Sequence, residues 1–414
     1  MPTLSVLGER LRSRLWPIPA LAATLACLGA VALSMLRPDD AGWLSDPSSV
    51  RGLLEVLAGS SLTVVALVFS LQVVALQLAA SQYSPRLLRT YARDRVIQAA
   101  LAVLISTFVF SLVTLALVGA GDEAPVGSVG GAGALGRASG AARVGEVGPI
   151  VTPQRVETLM ADLHDDAAAV VDTVYGHGSA FDGTGPRRDG SVDALVVAAP
   201  PAGFVQAVDR AWLARWSADA DVVVRVDVVP GDHVLAEQPL ARVWDADPDG
   251  VNADRVAAAV LVGPERTPDE DPAYGLVQLV DVALRALSPG VNDPTTAVHA
   301  IGHLASIVAS LAGEPLAADR VTEGPDGQRR VWEAQRSLED LLTVACDPVA
   351  RHAGDNPEVL LSLVRLLAEV RRRGGPDASD DVRAHSEYLA RAAVRGLSDD
   401  SDLRRVRAAA GAVA

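Results

Sequence analysis

The sequence contains no lysine, and all 36 of its basic side chains are arginine. Without a lysine amine the chain can form no lysine Schiff base, can carry no biotin or lipoyl arm, and lacks the phosphate-binding lysine of a P-loop. Cysteine is scarce as well, with two residues in 414, which excludes a disulfide-stapled secreted fold. Half of the residues are apolar, so the composition also excludes a disordered chain.

The negative charge of the chain is concentrated after residue 120. The formal net charge is −15, from 51 acidic and 36 basic residues. Residues 1–120 hold nine arginines against six acidic residues, which leaves 27 arginines against 45 acidic residues in 121–414. An acidic surface repels phosphate backbones, so we expect no nucleic-acid partner.

Three long, uncharged apolar runs predict transmembrane helices at about 16–36, 56–80 and 96–120. Each run is long enough to cross a hydrocarbon core of about 30 Å at a rise of about 1.5 Å per residue. Arginines cluster before the first run and between the second and the third, and the positive-inside rule therefore places the N-terminus in the cytoplasm. The sequence thus predicts a multi-pass transmembrane domain over residues 1–120.

The segment 121–150 conflicts with a simple topology. It is rich in glycine and alanine and carries five charged residues, so it cannot form a fourth apolar span of about 20 residues. Three spans that start from a cytoplasmic N-terminus would leave all later residues outside the cytoplasm.

The second predicted span carries a stripe of small and polar residues. Their spacings of four, seven, seven and four residues place them on one face of a helix: Gly59, Thr63, Ser70, Gln77 and Ser81. Polar groups at membrane depth face protein or water rather than lipid. Two interpretations stay open, contacts between packed helices or a water-filled path lined by this helix in an oligomer.

Beyond residue 150 the pattern is that of a soluble α+β part. We predict a helical connector over 151–193, a small β module over 194–262, and a helical domain over 263–414 that ends as a helical bundle. Within the β module, valines alternate over 222–228 and a Pro-Gly-Asp turn follows. The segment 222–243 resembles half of a barrel-sandwich hybrid of the biotinyl and lipoyl type, but without the attachment lysine only the shape can be shared.

In the helical domain, helices are predicted at 330–345, 357–373, 380–397 and 400–413. Before them, one helix ends at the sequence Ser288-Pro-Gly and another begins after Asn292 or Asp293, with Pro294 at its first position.

Two interpretations of this corner stay open. It is either a structural corner between capped helices, or an anion or ligand site, because a helix start presents backbone N–H groups. The residues available for such a site are Arg285, Ser288, Asn292, Asp293 and Thr295.

His299 and His303 are four residues apart on the following helix, which is the spacing of a two-histidine metal site. Ala300 stands where zinc hydrolases of that pattern have glutamate, so these histidines are only weak metal candidates and we expect none. No serine or cysteine has the setting of a nucleophile beside a base. We therefore expect a protein that is not an enzyme and carries no cofactor.

Two blocks, Ser70-Leu-Gln-Val-Val-Ala-Leu-Gln-Leu-Ala-Ala-Ser-Gln-Tyr-Ser-Pro-Arg86 and Ala283-Leu-Arg-Ala-Leu-Ser-Pro-Gly-Val-Asn-Asp-Pro-Thr-Thr-Ala297, resemble the bacterial family of predicted membrane proteins called domain of unknown function 2254. The resemblance covers roughly residues 10–370 and implies architecture but no assigned chemistry. It implies four membrane helices before a cytoplasmic soluble part. Where the fourth would lie, this chain has 121–150, for which three explanations stay open: loss of the span with an exported domain, a half-inserted segment, or a local frameshift in the gene.

Together these features predict a homo-oligomeric protein of the bacterial inner membrane, with the lipid bilayer as a partner. We expect a channel or transport-like protein whose second span lines a path for a solute or ion, while the acidic soluble domain assembles or gates it. The alternative is a membrane-anchored ligand sensor or scaffold that uses the soluble domain.

Overall fold

The computed structural model describes residues 17–34, 47–82, 95–118, 156–176, 194–199, 202–245, 252–313, 319–376 and 378–414. The chain divides into two compact units, Met1–Arg155 and Val156–Ala414. The described residues are mostly helical, with mixed sheets in the second unit. The segment 121–150 and the three explanations for it lie outside the described residues.

The first unit consists, in its described part, of three helices: α1 (Pro17–Ser34), α2 (Pro47–Gln82) and α3 (Arg95–Val118). Helix α3 packs against both α1 and α2. Its Phe110 is buried with Ala26 and Ala30 of α1 and Leu54 of α2. Large apolar side chains cover the outer faces of α1 and α2, as expected for a surface in contact with lipid: Ile18, Leu21, Leu25, Leu28, Leu62, Leu67, Phe69 and Val74.

The prediction of three transmembrane helices is not confirmed in full. Within this unit, Arg51–Leu71 of α2 is long and apolar enough to cross a membrane. The apolar segments of α1 and α3, Ile18–Leu33 and Leu101–Leu117, are shorter. All three predicted runs are nevertheless helical over their described residues.

The second unit begins with a helix and then alternates short strands with helices. Its elements up to residue 263 are α4 (Val156–Tyr175), β1 (Leu195–Ala198), β2 (Gly203–Val208), α5 (Arg210–Asp219), β3 (Val223–Val226), β4 (His233–Val234), β5 (Pro239–Trp244), α6 (Ala253–Ala257) and β6 (Val260–Gly263). The later elements are α7 (Pro272–Ala286), α8 (Pro294–Ala312), β7 (Asp319–Glu323), β8 (Arg329–Ala334), α9 (Leu338–His352), α10 (Pro357–Gly374), α11 (Ser379–Gly396) and α12 (Asp400–Val413).

Two sheets share one apolar core in this unit. The larger sheet has the strand order β1-β5-β3-β8-β7 and the smaller one has the order β4-β2-β6. All neighbours pair antiparallel except β3 and β8, which are parallel. Buried valines from both sheets form the core, among them Val197, Val205, Val224 and Val260. A barrel-sandwich hybrid is not confirmed, because the larger sheet continues into β7 and β8, outside the predicted module.

Strand β8 corrects one predicted helix. The helix predicted at 330–345 begins only at Leu338, after a capping box in which Ser337 and Asp340 bond to each other's backbone N–H groups. The preceding residues form β8, in which Arg330 and Glu333 are both buried. Buried charges on a strand remove the alternation of apolar and polar residues that identifies strands in a sequence, so the pattern was misread.

Helix α8 lies at the centre of the helical part, packed against α4, α7, α9 and α10. Like α2, it is long and apolar enough to cross a membrane by length and composition. Leu304, Ile307, Val308 and Leu311 are fully buried inside the second unit. The apolar character of α8 is therefore explained by its position in a protein core.

Candidate functional site

The small and polar residues of α2 lie on an outward face. Four of the five predicted stripe residues are exposed: Gly59, Thr63, Ser70 and Gln77. Ser81 belongs to α2, but its side chain lies outside the described part of the structure. The buried residues of the same helix lie on the opposite face, at about 100° of rotation per residue: Leu54, Ala58, Ser61 and Val68. Contacts among the described residues of the first unit therefore do not use the stripe.

A second set of polar residues, on α3, is buried instead: Gln98, Ser106, Thr107, Ser111 and Thr114. Two of these hydroxyls bond back to their own helix, Ser106 to the carbonyl of Ala102 at 2.6 Å and Thr107 to that of Val103 at 2.7 Å. Sequence reasoning missed this set, although positions 107, 111 and 114 have helical spacing. The buried polar residues of the described helices in the first unit, these five and Ser61 of α2, all lie away from the stripe, so the packing interpretation of the α2 stripe needs a partner outside the described residues.

Hydrogen bonds within the corner between α7 and α8 engage Asp293, Ser288 and the backbone of Asn292. Asp293 caps α8, accepting hydrogen bonds from the Thr296 backbone N–H at 3.1 Å and from its hydroxyl at 2.6 Å. The Ser288 hydroxyl donates to the Arg285 carbonyl at 2.7 Å, and the Asn292 N–H donates to the Ser288 carbonyl at 2.9 Å. Asn292 adopts a left-handed backbone conformation with φ of 49°. The structure brings these predicted residues together, with Thr295 exposed beside them.

Replacing Asp293 with alanine is expected to destabilise the second unit by about 1 kcal/mol, because α8 loses its N-terminal cap. The hydrogen bonds from Thr296 lower the pKa of Asp293, so its stabilisation is present above the unfolded-state pKa and is lost as the pH falls. Urea unfolding in a series from pH 7 down to below the folded-state pKa of Asp293 measures both effects. Asp269→Ala, which removes an exposed loop carboxylate before α7, is the control, and equal losses in the two variants would contradict the capping role.

The two predicted histidines do not converge on a metal site. His299 is exposed on α8, whereas the His303 ring packs against the ring of His164 with centroids 5.3 Å apart. Burial and the neighbouring His164 lower the pKa of His303. Among the described residues, no three side chains of the metal-ligating types His, Cys, Asp and Glu come together.

Sequence reasoning missed a charged cleft in the second unit. It lies where the end of α4, the start of α5, the residues before α7, and strands β7 and β8 meet, and it contains about 280 Å³ of empty space including its open mouth. Its polar lining includes one tyrosine, three arginines and two glutamates: Tyr175, Arg210, Glu270, Arg320, Glu333 and Arg336. We call this group the arginine cleft.

Arg210 is the fully paired cation of the arginine cleft. Its Nε and Nη2 atoms both donate to the carboxylate of Glu333 at 2.7 Å, and its Nη1 atom lies 2.9 Å from Glu270. The Glu333 side chain is only 4% exposed. Burial raises the pKa of Glu333, and the charge of Arg210 opposes this shift. Burial disfavours the charge of Arg210 in turn, but the two glutamates outweigh it and raise the pKa of Arg210.

The other two arginines of the cleft are less completely satisfied. Arg320 donates one long hydrogen bond, 3.5 Å, to the Val174 carbonyl at the end of α4. Burial and the adjacent charge of Arg210 lower the pKa of Arg320. Arg336 donates from Nη2 to Asp232 at 2.9 Å, while its buried Nε atom has no hydrogen-bond partner among the described residues.

One wall of the cleft depends on a glycine. Gly231 follows Pro230 with φ of 95°, a backbone conformation that residues other than glycine rarely adopt. A Cβ atom at this position would also collide with the Asp271 carboxylate. Asp271 is itself held by Arg266 at 2.7 Å and caps α7. The Pro-Gly-Asp turn of the sequence therefore fixes the loop that carries Pro230 into the cleft.

The first unit, with a membrane-length helix and an apolar outer surface, has the features of an integral membrane protein. The chain belongs to the family described as predicted membrane protein, domain of unknown function 2254, whose model matches residues 12–369. The family resemblance of the two sequence blocks is thereby confirmed. Two uncharacterised proteins, from Mycobacterium tuberculosis and Mycobacterium bovis, are each 32% identical over 422 residues, covering 97% of this chain and 80% of theirs. No solved structure matches the chain.

Proposed function

We propose that the protein is a homo-oligomeric channel or transport-like protein in which the stripe face of α2, from Gly59 to Gln77, lines a path for a solute or ion. In this proposal the protein resides in the bacterial inner membrane and crosses it more than once. Its N-terminus lies in the cytoplasm. The second unit is cytoplasmic and assembles or gates the oligomer. The proposal includes no catalytic activity, cofactor or nucleic-acid partner.

One observation carries this proposal: the stripe is exposed on the face opposite the buried face of α2. Polar groups that meet hydrocarbon lose hydrogen bonds with water, so such a face is stable in a membrane only against protein or water. The Thr63 hydroxyl bonds back to the Gly59 carbonyl at 2.9 Å, which reduces its cost at the membrane centre. Ser70 and Gln77 have no such bond among those described, so they favour a polar neighbour outside the monomer.

Helix α2 is long enough to line a path across the hydrocarbon core of the bilayer and to extend past one side of it. The helix has 36 residues and, at about 1.5 Å per residue, is about 54 Å long, whereas the hydrocarbon core is about 30 Å thick. Its apolar window ends at Leu71, so Gln77 lies about 9 Å further along the axis, at the level of the interface. In the proposed oligomer, Ser70 lies inside the path and Gln77 lies at its mouth.

Ion flux through purified protein in liposomes tests the path. Wild type is expected to conduct, and Ser70→Leu and Gln77→Leu are each expected to lower the flux about tenfold or more, because each removes a polar lining group and narrows the path. Flux is measured with a panel of alkali cations and halide anions, since the conducted species is part of the result.

Ser60→Leu is the matched control, because Ser60 is rotated about 100° from Gly59 and its hydroxyl bonds back to Leu57 at 3.2 Å. Flux in this variant should stay at the wild-type level. If wild type conducts none of these ions, or if all three leucine variants behave alike, the path proposal is wrong.

The arginine cleft favours a second candidate function, a membrane-anchored ligand sensor or scaffold. A cleft lined by incompletely paired arginines suits ligand recognition, and it lies wholly in the second unit. The two functions make different predictions: a sensor shows no flux in liposomes but is stabilised by its ligand.

A further inference from the structure

One arginine of the arginine cleft has no ion pair of its own among the described residues. Arg210 engages both glutamates at 2.7–2.9 Å, and Arg336 is paired with Asp232 at 2.9 Å. Arg320 lies in the same cleft with a single 3.5 Å hydrogen bond to a carbonyl and no ion pair to a described carboxylate. A half-buried guanidinium in this situation keeps most of its desolvation cost, which an anion would offset.

Further donors meet at the same place. The Nε atom of Arg336 is buried without a hydrogen-bond partner among the described residues. Tyr175 donates only a 3.3 Å hydrogen bond to the Arg336 carbonyl, and burial raises its pKa, so it stays a neutral phenol. The cleft therefore combines a cation with two weakly used donors, and donors of this kind recognise oxygen anions.

We propose that the arginine cleft is a binding site for a small free oxyanion, a phosphate or carboxylate group, with Arg320 as its main cationic partner and Arg336 and Tyr175 as further donors. A guanidinium can contact two oxygens of such a group at once. In a chain without lysine, arginine is the only side chain that can supply this permanent positive charge. The inference rests on the cleft residues alone, so flux along α2 and anion binding can fail independently.

The volume of the cleft limits the ligand. Its 280 Å³ of empty space includes the open mouth, and the enclosed part has room for only about one water molecule. A ligand can therefore place a single oxyanion group in the cleft, with its other atoms in the mouth. The site thus favours a single phosphate or carboxylate group.

Glu270 is expected to weaken anion binding, whereas Arg320 is expected to strengthen it. Its carboxylate lines the cleft, so it repels an incoming anion and also occupies Nη1 of Arg210 at 2.9 Å. Replacing it with glutamine removes the repulsion and frees part of the Arg210 charge for the ligand. Arg320→Gln and Glu270→Gln are therefore expected to change anion affinity in opposite directions.

Calorimetric titration of the full-length protein in phosphatidylcholine nanodiscs tests the site. The probes are inorganic phosphate and sodium malonate at constant ionic strength, with sodium chloride as the salt control. We expect saturable binding of at least one probe, weakened about tenfold or more by Arg320→Gln, as for loss of a charge-assisted hydrogen bond. Glu270→Gln is expected to tighten binding several-fold.

Arg329→Gln is the matched control, because Arg329 is an exposed arginine on the same β-hairpin, and it should bind like wild type. Circular dichroism verifies that each variant is folded, and the expected gain in Glu270→Gln keeps the test decisive if Arg320→Gln unfolds. Absence of saturable binding, equal affinities in the two arginine variants, or weaker binding by Glu270→Gln would overturn the proposal. If the protein is stabilised only in nanodiscs that contain phosphatidic acid, the ligand is a lipid headgroup. The proposal of a free anion is then wrong.

Discussion

Replacing Arg210 with methionine is expected to destabilise the second unit by about 3–5 kcal/mol. Methionine preserves much of the apolar packing of the arginine stem but leaves the Glu333 carboxylate, 4% exposed, without its two 2.7 Å hydrogen bonds. An unpaired buried charge costs far more than the net contribution of the pair, because its desolvation is no longer compensated. Chemical denaturation of the full chain, followed by tryptophan fluorescence, measures the loss.

The pH dependence of this variant has a defined sign. Burial already raises the pKa of Glu333, and loss of Arg210 removes the charge that opposes the shift. A carboxyl group with a raised folded-state pKa binds protons more readily in the folded state, so the deficit of Arg210→Met should shrink as the pH falls. In acid the neutral carboxyl group tolerates burial.

Two further variants separate the ion pair from general effects of substitution on α5. Arg215 is an exposed arginine of the same helix, and Arg215→Met should change stability by less than about 0.5 kcal/mol. Adding Glu333→Leu to Arg210→Met should recover most of the loss, because no charge is then buried alone at position 333. A loss in Arg210→Met no larger than that in Arg215→Met would contradict the buried-pair assignment.

The sequence predicted well those features that depend on neighbouring residues. The cap, proline and corner around Asp293 and Pro294 lie within a few positions of one another, and the structure has a helix starting there. The three apolar runs correspond to α1, α2 and α3. The second run was predicted to begin at 56, but α2 begins at Pro47, because Arg51 and Glu55 interrupt an apolar pattern without breaking a helix.

Features that depend on distant residues were not predictable in the same way. Arg210 and Glu333 are 123 positions apart, and no local pattern connects them. Strand β8, which supplies Glu333, was read as helix, so the arginine cleft had no counterpart in the sequence analysis. The stripe of α2 was recognised by its spacing, but only the packing of α3 determines which face of α2 remains outward.

Crosslinking along α2 is expected to give an all-or-none pattern between copies of the chain. In a background where Cys27 and Cys346 are replaced by alanine, single cysteines are introduced at Thr63, Ser70 and Phe69. Ser70 and Phe69 are both exposed in the monomer, but their side chains point about 100° apart around the helix. Only an oligomer with the stripe inward brings Thr63 and Ser70 of different copies together and leaves Phe69 facing lipid.

The most direct test of the central claim, an oligomer built around the stripe of α2, is therefore the extent of crosslinking by a short bismaleimide in native membranes. The account predicts dimers and higher species for Thr63→Cys and Ser70→Cys and monomer for Phe69→Cys. Equal crosslinking at Ser70→Cys and Phe69→Cys, or monomer throughout, would contradict it.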